Sequence, residues 1–356
     1  MNPLFRNILL VFGVVALGVM CWLVDIPDDI NWELAAVYLP AVIGIWGVVY
    51  CLNAYAAKVI IDTVGNGSRI PFWQSFKLTL SAFAYTFLTP FGFGGGPFRV
   101  LELSRFIGMP RAISSVTLYS LMHILGHFMQ WATCVVIFIV VYTDKMTPLL
   151  WTLFGVYMVV FLTVVVVFNW FYTNGLLERL FKIFFYVPGL KGWSRRLYAR
   201  NTEAFRLADE NVMYLKQNPR AFWSSLVCEY AGRLLNAWEF WFILTAFGLE
   251  HVTYADALLV IGFSSLVGNV LYVLPLQLGA REGGLAIILH VLYGTTAGVG
   301  IFASFYTRIR ELFWVTIGVS LVKVANKSLM KAPAAEAVAF VTQPDAPVSP
   351  AEIPTE

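Results

Sequence analysis

Six stretches of this sequence stay apolar for the length a helix needs to cross a bilayer, about 17–25 residues, and this repetition limits the possible folds more than any other feature. They run from Asn7 to Val24, Leu34 to Ala57, Ala112 to Val141, Leu149 to Phe171, Ala221 to Phe247 and Val299 to Val322. Charged residues make up only 13% of the chain, about half of what coats a soluble globule. The apolar surface therefore faces lipid, which excludes a soluble enzyme. The first run has one arginine before it, no small-residue cleavage site and acidic residues after it, so it reads as a retained helix rather than a signal peptide. Cys21, Cys51, Cys134 and Cys228 all lie in apolar stretches without metal-ligand spacing and predict neither disulfides nor a metal site.

Two further apolar runs, Phe76 to Phe93 and Ala257 to Tyr293, are interrupted by proline and glycine, which remove donors and loosen a helix where a spanning segment needs its ladder intact. Lysine and arginine stay on the cytoplasmic side of short loops. If both interrupted runs are re-entrant hairpins and the amino terminus is inside, 19 of the 24 basic residues are cytoplasmic. Full crossings with the opposite orientation divide them far more evenly. The expected fold is an all-α polytopic membrane protein with six full spans and two broken re-entrant helical hairpins in an inverted repeat, about eight transmembrane segments in total. A weak echo between Thr89-Pro90-Phe91-Gly92-Phe93-Gly94 and Leu274-Pro275-Leu276-Gln277-Leu278-Gly279 supports the repeat. Residues 1–331 form one transmembrane domain. It includes a cytoplasmic basic loop, 173–220, whose interleaved aromatic residues suit amphipathic helices on an anionic leaflet. Residues 332–356 read as a disordered cytoplasmic tail, and both termini are expected on the cytoplasmic side of the inner membrane.

The two turns carry the candidate chemistry. Pro90, Gly94, Gly95 and Gly96, followed by Arg99 and Glu102, would expose amides beside a helix start, a setting that attracts phosphate or carboxylate. Pro275, Gln277, Gly279, Arg281, Glu282 and Gly283 repeat the arrangement, with Glu282 expected either to hold Arg281 until an anion displaces it or to lock it permanently at the interface. Within the spans, Glu229 and Arg233 are four apart and Arg308 and Glu311 three apart, so each pair shares a helix face; Arg310 faces elsewhere and is expected to snorkel to the interface. Intramembrane charges are substrate-site candidates. His123 and His127 are also four apart but lack the glutamate and third ligand of a zinc protease; interhelical contact or proton exchange are the open readings. Asn236, Glu239 and Asn269 suit the same polar interior.

With these motifs in view, the chain resembles the lysylphosphatidylglycerol synthase transmembrane family, also called flippase-like, over residues 7 to 325. The resemblance rests on the Thr-Pro and glycine-rich turn with Arg99 and Glu102, and on Leu274-Pro275 through Gly279-Ala280-Arg281-Glu282-Gly283. It implies a lipid translocase moving an anionic or isoprenoid-linked lipid between leaflets, with membrane lipids as partners and no cofactor or catalytic residues. The soluble aminoacylating domain of the best understood members has no counterpart here, so lysyl transfer is not expected. A run of Phe91, Phe93 and Gly94-Gly95-Gly96 departs from the family's more polar turn. No nucleotide-binding motif is visible, so movement would run downhill or couple to an ion gradient. Two alternatives are a membrane enzyme that modifies a headgroup through His123 or His127, and a scaffold for a soluble lipid-synthesising partner. A homodimer is plausible and nucleic acid is not expected.

Overall fold

In a computed structural model, the described residues are 31–65, 69–89, 94–174, 202, 206, 210, 217–270 and 280–329. The run Asn7 to Val24, most of the basic loop and the tail lie outside them, as do Pro90, Pro275, Gln277 and Gly279 of the turns. Among the described residues the regular structure is helical, without strands.

The first long helix, α1 (Trp32–Val64), begins where the Asn31 carboxamide accepts the Leu34 amide at 2.9 Å, capping an orphan donor. Two short helices follow, α2 (Phe72–Leu88) and α3 (Gly95–Ile107), and then α4 (Met109–Val141), whose Pro110 lies in its first turn, where a missing N–H costs no bond. After a short 3₁₀ turn comes α5 (Pro148–Asn174). The expected span from Ala221 to Phe247 is two helices, α6 (Pro219–Leu235) and α7 (Ala237–Ala246), divided at Asn236. The chain closes with α8 (Tyr254–Val270), α9 (Ala280–Tyr293) and α10 (Ala297–Leu329). By length and composition, α1, α4 and α5 are clear membrane-crossing candidates. Although α10 is 33 residues long, Arg308, Arg310 and Glu311 at its centre set it apart from those three.

Both interrupted runs fold into pairs of antiparallel helices. Tyr85 stacks on Phe98 at 4.3 Å beside the first break, and a methyl group on Gly95 would collide with Thr86. That glycine sets how closely α3 approaches α2. In the second pair, the Ser264 hydroxyl donates to the Arg281 carbonyl near the break, while at the far ends the Tyr293 hydroxyl donates to Asp256 at 2.8 Å. Gly284 lies against Ser264 and Val267 there.

Contacts between the helices come in matched sets. α2 packs on α10 as α8 packs on α4; α3 packs on α4 as α9 packs on α10; and α1 packs on α2 as α7 packs on α8. The match reaches single residues, because Gly318 of α10 is pressed against the Leu80 carbonyl of α2, and Gly262 of α8 against Cys134 of α4. Between the halves, α1 lies along α6 and α7 in the opposite sense. The Asn31 amide donates to the Ala246 carbonyl, Trp46 meets Glu239, and Ile60 shares a cluster with Phe222.

Where α1, α7 and α10 meet, Arg310 is 1% exposed. It does not snorkel: its guanidinium donates to Glu239 at 2.8 and 3.0 Å and lies 3.8 Å over the Trp46 ring, while Trp46 donates to the second Glu239 oxygen at 2.6 Å. Removing one member of such a pair strands a buried charge, at a cost of about 3–5 kcal/mol, whereas replacing both by apolar groups is far milder. Arg310→Met should therefore lower the melting temperature in detergent sharply, and Arg310→Met with Glu239→Leu should recover most of the loss. Equal losses in the single and double variants would contradict this. The Gly318 contact makes a second expectation: Gly318→Val should destabilise by about 1–3 kcal/mol through overpacking. Gly44→Ala, at an exposed site with open space around it, should not shift the melting temperature.

Candidate functional site

Between the two helix pairs lies a cavity of about 580 Å³. Residues flanking both breaks line it: Thr86, Gly95 and Gly96 beside the first, and Ser264, Ser265, Asn269 and Arg281 beside the second. The remaining wall comes from α1 (Trp46, Tyr50, Asn53), α4 (Tyr119, His123, His127, Gln130), α6 and α7 (Glu229, Arg233, Phe240) and α10 (Glu311). A helix end leaves amides or carbonyls without intrahelical partners, and facing such ends into one polar space keeps them from lipid.

The charges of this wall form two groups. In the first, Arg281 donates to Glu311 at 2.5 Å, Arg308 reaches the other Glu311 oxygen at 3.1 Å, and Arg310 stands 3.9 Å from the same carboxylate. The expected hold of Glu282 on Arg281 is not what the chain adopts. Neighbouring residues on a helix point about 100° apart, and Glu282 instead accepts the Ser304 hydroxyl at 2.7 Å and lies 3.5 Å from Arg308. Glu282 and Arg308 therefore stand behind the wall, with Glu311 between them and the cavity.

The second group is centred on Glu229. Its carboxylate accepts from His123 Nδ1 at 2.8 Å and lies 3.5 Å from Arg233, four residues along the same helix. Arg233 also contacts the His127 ring at 2.9 Å and donates to the His123 carbonyl at 2.8 Å. The space it occupies depends on Gly126, where a methyl group would come within 2.8 Å of the guanidinium. Arg99 lies 4.5 Å over the Tyr119 ring, and among the described residues no carboxylate is within ion-pairing distance of it.

Five arginines (99, 233, 281, 308 and 310) thus face four glutamates (229, 239, 282 and 311) in and behind the wall. Among the described residues the surplus is positive and resides at Arg99. A space of this size with one uncompensated guanidinium suits an anion whose remaining surface is both polar and aromatic-facing.

Of the residues singled out from sequence, Arg99, Gly95, Gly96, Glu229, Arg233, Arg281 and Glu311 line the cavity. Glu102 does not: it pairs with Arg105 at 3.5 Å. Gly94 caps α3, but its amide is taken by the Thr89 hydroxyl at 2.9 Å, so it offers no free donor. Gly283 has open space around it and is not in the wall. Sequence reasoning missed Tyr119, which carries Arg99, and Trp46, which carries Arg310; each is one aromatic residue among many in an apolar run, and only the fold identifies it.

Neither the curated proteins nor the solved structures include one that this chain matches. The model of the lysylphosphatidylglycerol synthase TM region matches residues 8–318. With its helical pairs closing on a charged cavity, the chain belongs to the lysylphosphatidylglycerol synthase transmembrane family.

Proposed function

We propose that the protein is a lipid translocase of the cytoplasmic membrane, in which α2–α3 and α8–α9 act as re-entrant hairpins of an inverted repeat and the cavity between them receives an anionic headgroup. The acyl chains stay in the bilayer. The observation that supports this reading best is Arg99. It is a cavity-facing guanidinium on an aromatic ring with no carboxylate partner among the described residues, whereas Arg233 and Arg281 in the same wall are already ion-paired. Charge-assisted bonds to a phosphate contribute about 1.5–3 kcal/mol each, enough to select anionic over zwitterionic lipids. Arg281 is the second contact, released when the headgroup competes with Glu311. Opposed hairpins at matched positions in the two halves give access from either leaflet without rebuilding the site. Both termini and the basic loop lie on the cytoplasmic side.

Purified protein in vesicles should exchange fluorescent anionic lipids between leaflets faster than zwitterionic ones. Arg99→Ala should lose that preference by about tenfold, the equivalent of 1.4 kcal/mol, with little change in melting temperature, since no ion pair is broken. Unchanged anionic exchange in Arg99→Ala would refute the site. A covalently altered lipid in mass spectra of the same vesicles would favour a headgroup-modifying enzyme instead.

A further inference from the structure

The Glu229 group has a property that anion binding alone does not use. A carboxylate only accepts hydrogen bonds, so the 2.8 Å contact to Glu229 fixes the hydrogen of neutral His123 on Nδ1. Its Nε2 is left as an acceptor. The side chain is 41% exposed, and it lines the cavity together with Tyr119, His127 and Arg233. An imidazole oriented by a buried carboxylate, with its second nitrogen toward a polar space, is built to take a proton there.

Whether it does so depends on the charges around it. On its own helix, α4, these are the Tyr119 and His127 rings; α6 supplies Glu229 and Arg233, and α3 supplies Arg99. The helix α1 brings Tyr50 to the cavity, and α9 and α10 bring Arg281 and Glu311, which neutralise each other. With the cavity empty of anion, His123 faces two guanidiniums and a single carboxylate. An anion on Arg99 cancels one of those cations. The ring of Tyr119 separates the two positions, 4.5 Å from Arg99 and with its centre 6.0 Å from that of His123. At such a separation in a protein interior, opposite charges shift each other's equilibria by about tenfold or more.

We infer that His123, held by Glu229, is a proton-binding site loaded when an anionic headgroup occupies Arg99, so that the proton and the lipid move together. The proton enters from water in the cavity onto Nε2, while Nδ1–H remains bonded to Glu229. This inference rests on the translocase reading and gives it a driving force, a transmembrane proton gradient. Binding then tightens as pH falls through the imidazole range, because the complex holds more protons than the free protein, with a limit of about tenfold per pH unit for one proton.

The test is titration calorimetry of the full-length protein with short-chain phosphatidylglycerol, run in two buffers of different ionisation enthalpy. Each titration reports binding, and their difference reports the protons taken up. Wild type should take up a fraction of a proton per lipid bound within the imidazole range, about half at most for a tenfold shift, and phosphatidylcholine should cause none. His123→Gln should still bind the anionic lipid but without proton uptake, and His290→Gln, remote from the cavity, should match wild type. Anionic lipid that binds wild type without proton uptake overturns the proton site and leaves the translocase reading intact; this arm needs no variant to fold. Equal uptake by His123→Gln also overturns it. Failure of the anionic lipid to bind at all overturns the translocase reading and this inference with it.

Discussion

A helix that stops inside a bilayer leaves amides and carbonyls that lipid cannot satisfy. Several helices of this chain are too short to cross one. With 17 residues in α2, 13 in α3, 17 in α8 and 14 in α9, these helices reach about 20–26 Å at 1.5 Å per residue, short of the roughly 30 Å hydrocarbon core. Residues from all four short helices line one charged cavity, and the longer helices pack around it. Gly95 and Gly284 bring the arms of each pair together, and Gly318 and Gly262 seat those pairs on α10 and α4. Small residues at such crossings replace the hydrophobic drive that is missing between helices in lipid.

The same enclosure makes buried arginine tolerable. Arg310, Glu239 and Trp46 join three helices at the core, and the carboxylate of Glu311 is shared among three guanidiniums. These groups hold one another in place, whereas Arg99, on the short helix after the first break, has no carboxylate at ion-pairing distance among the described residues. Under the proposed translocase reading, the fixed pairs on one side of the cavity are the scaffold, and Arg99 with the oriented imidazole of His123 on the other is the receiving face.

Much of the framework was legible in the sequence. Hydropathy alone located α1, α4 and α5, and proline and glycine marked both interruptions. Pairs within one helix were legible too, since Glu229 with Arg233 and Arg308 with Glu311 follow from a 3.6-residue period. Pairs between helices were not. Arg310 meets Glu239 across 71 positions and Arg281 meets Glu311 across 30, so neighbouring residues suggested an interfacial role for the first and Glu282 as partner for the second. The division at Asn236 was hidden because one polar residue in an apolar run reads equally as a lining residue or as a break. Glycine carried two meanings that the sequence cannot separate: Gly95 was expected to expose an amide, and it also admits the neighbouring helix.

The central claim is that a lipid headgroup enters the cavity beside Arg99, and photo-crosslinking tests it most directly. An anionic lipid carrying a diazirine on its headgroup would be activated in vesicles holding the protein, and the labelled peptides mapped by mass spectrometry. Labels on α3, α4 and α6 around Arg99, Tyr119 and Arg233, competed away by unlabelled anionic lipid, are the predicted result. Labels confined to the outward apolar face of α5, insensitive to competitor, would contradict the account.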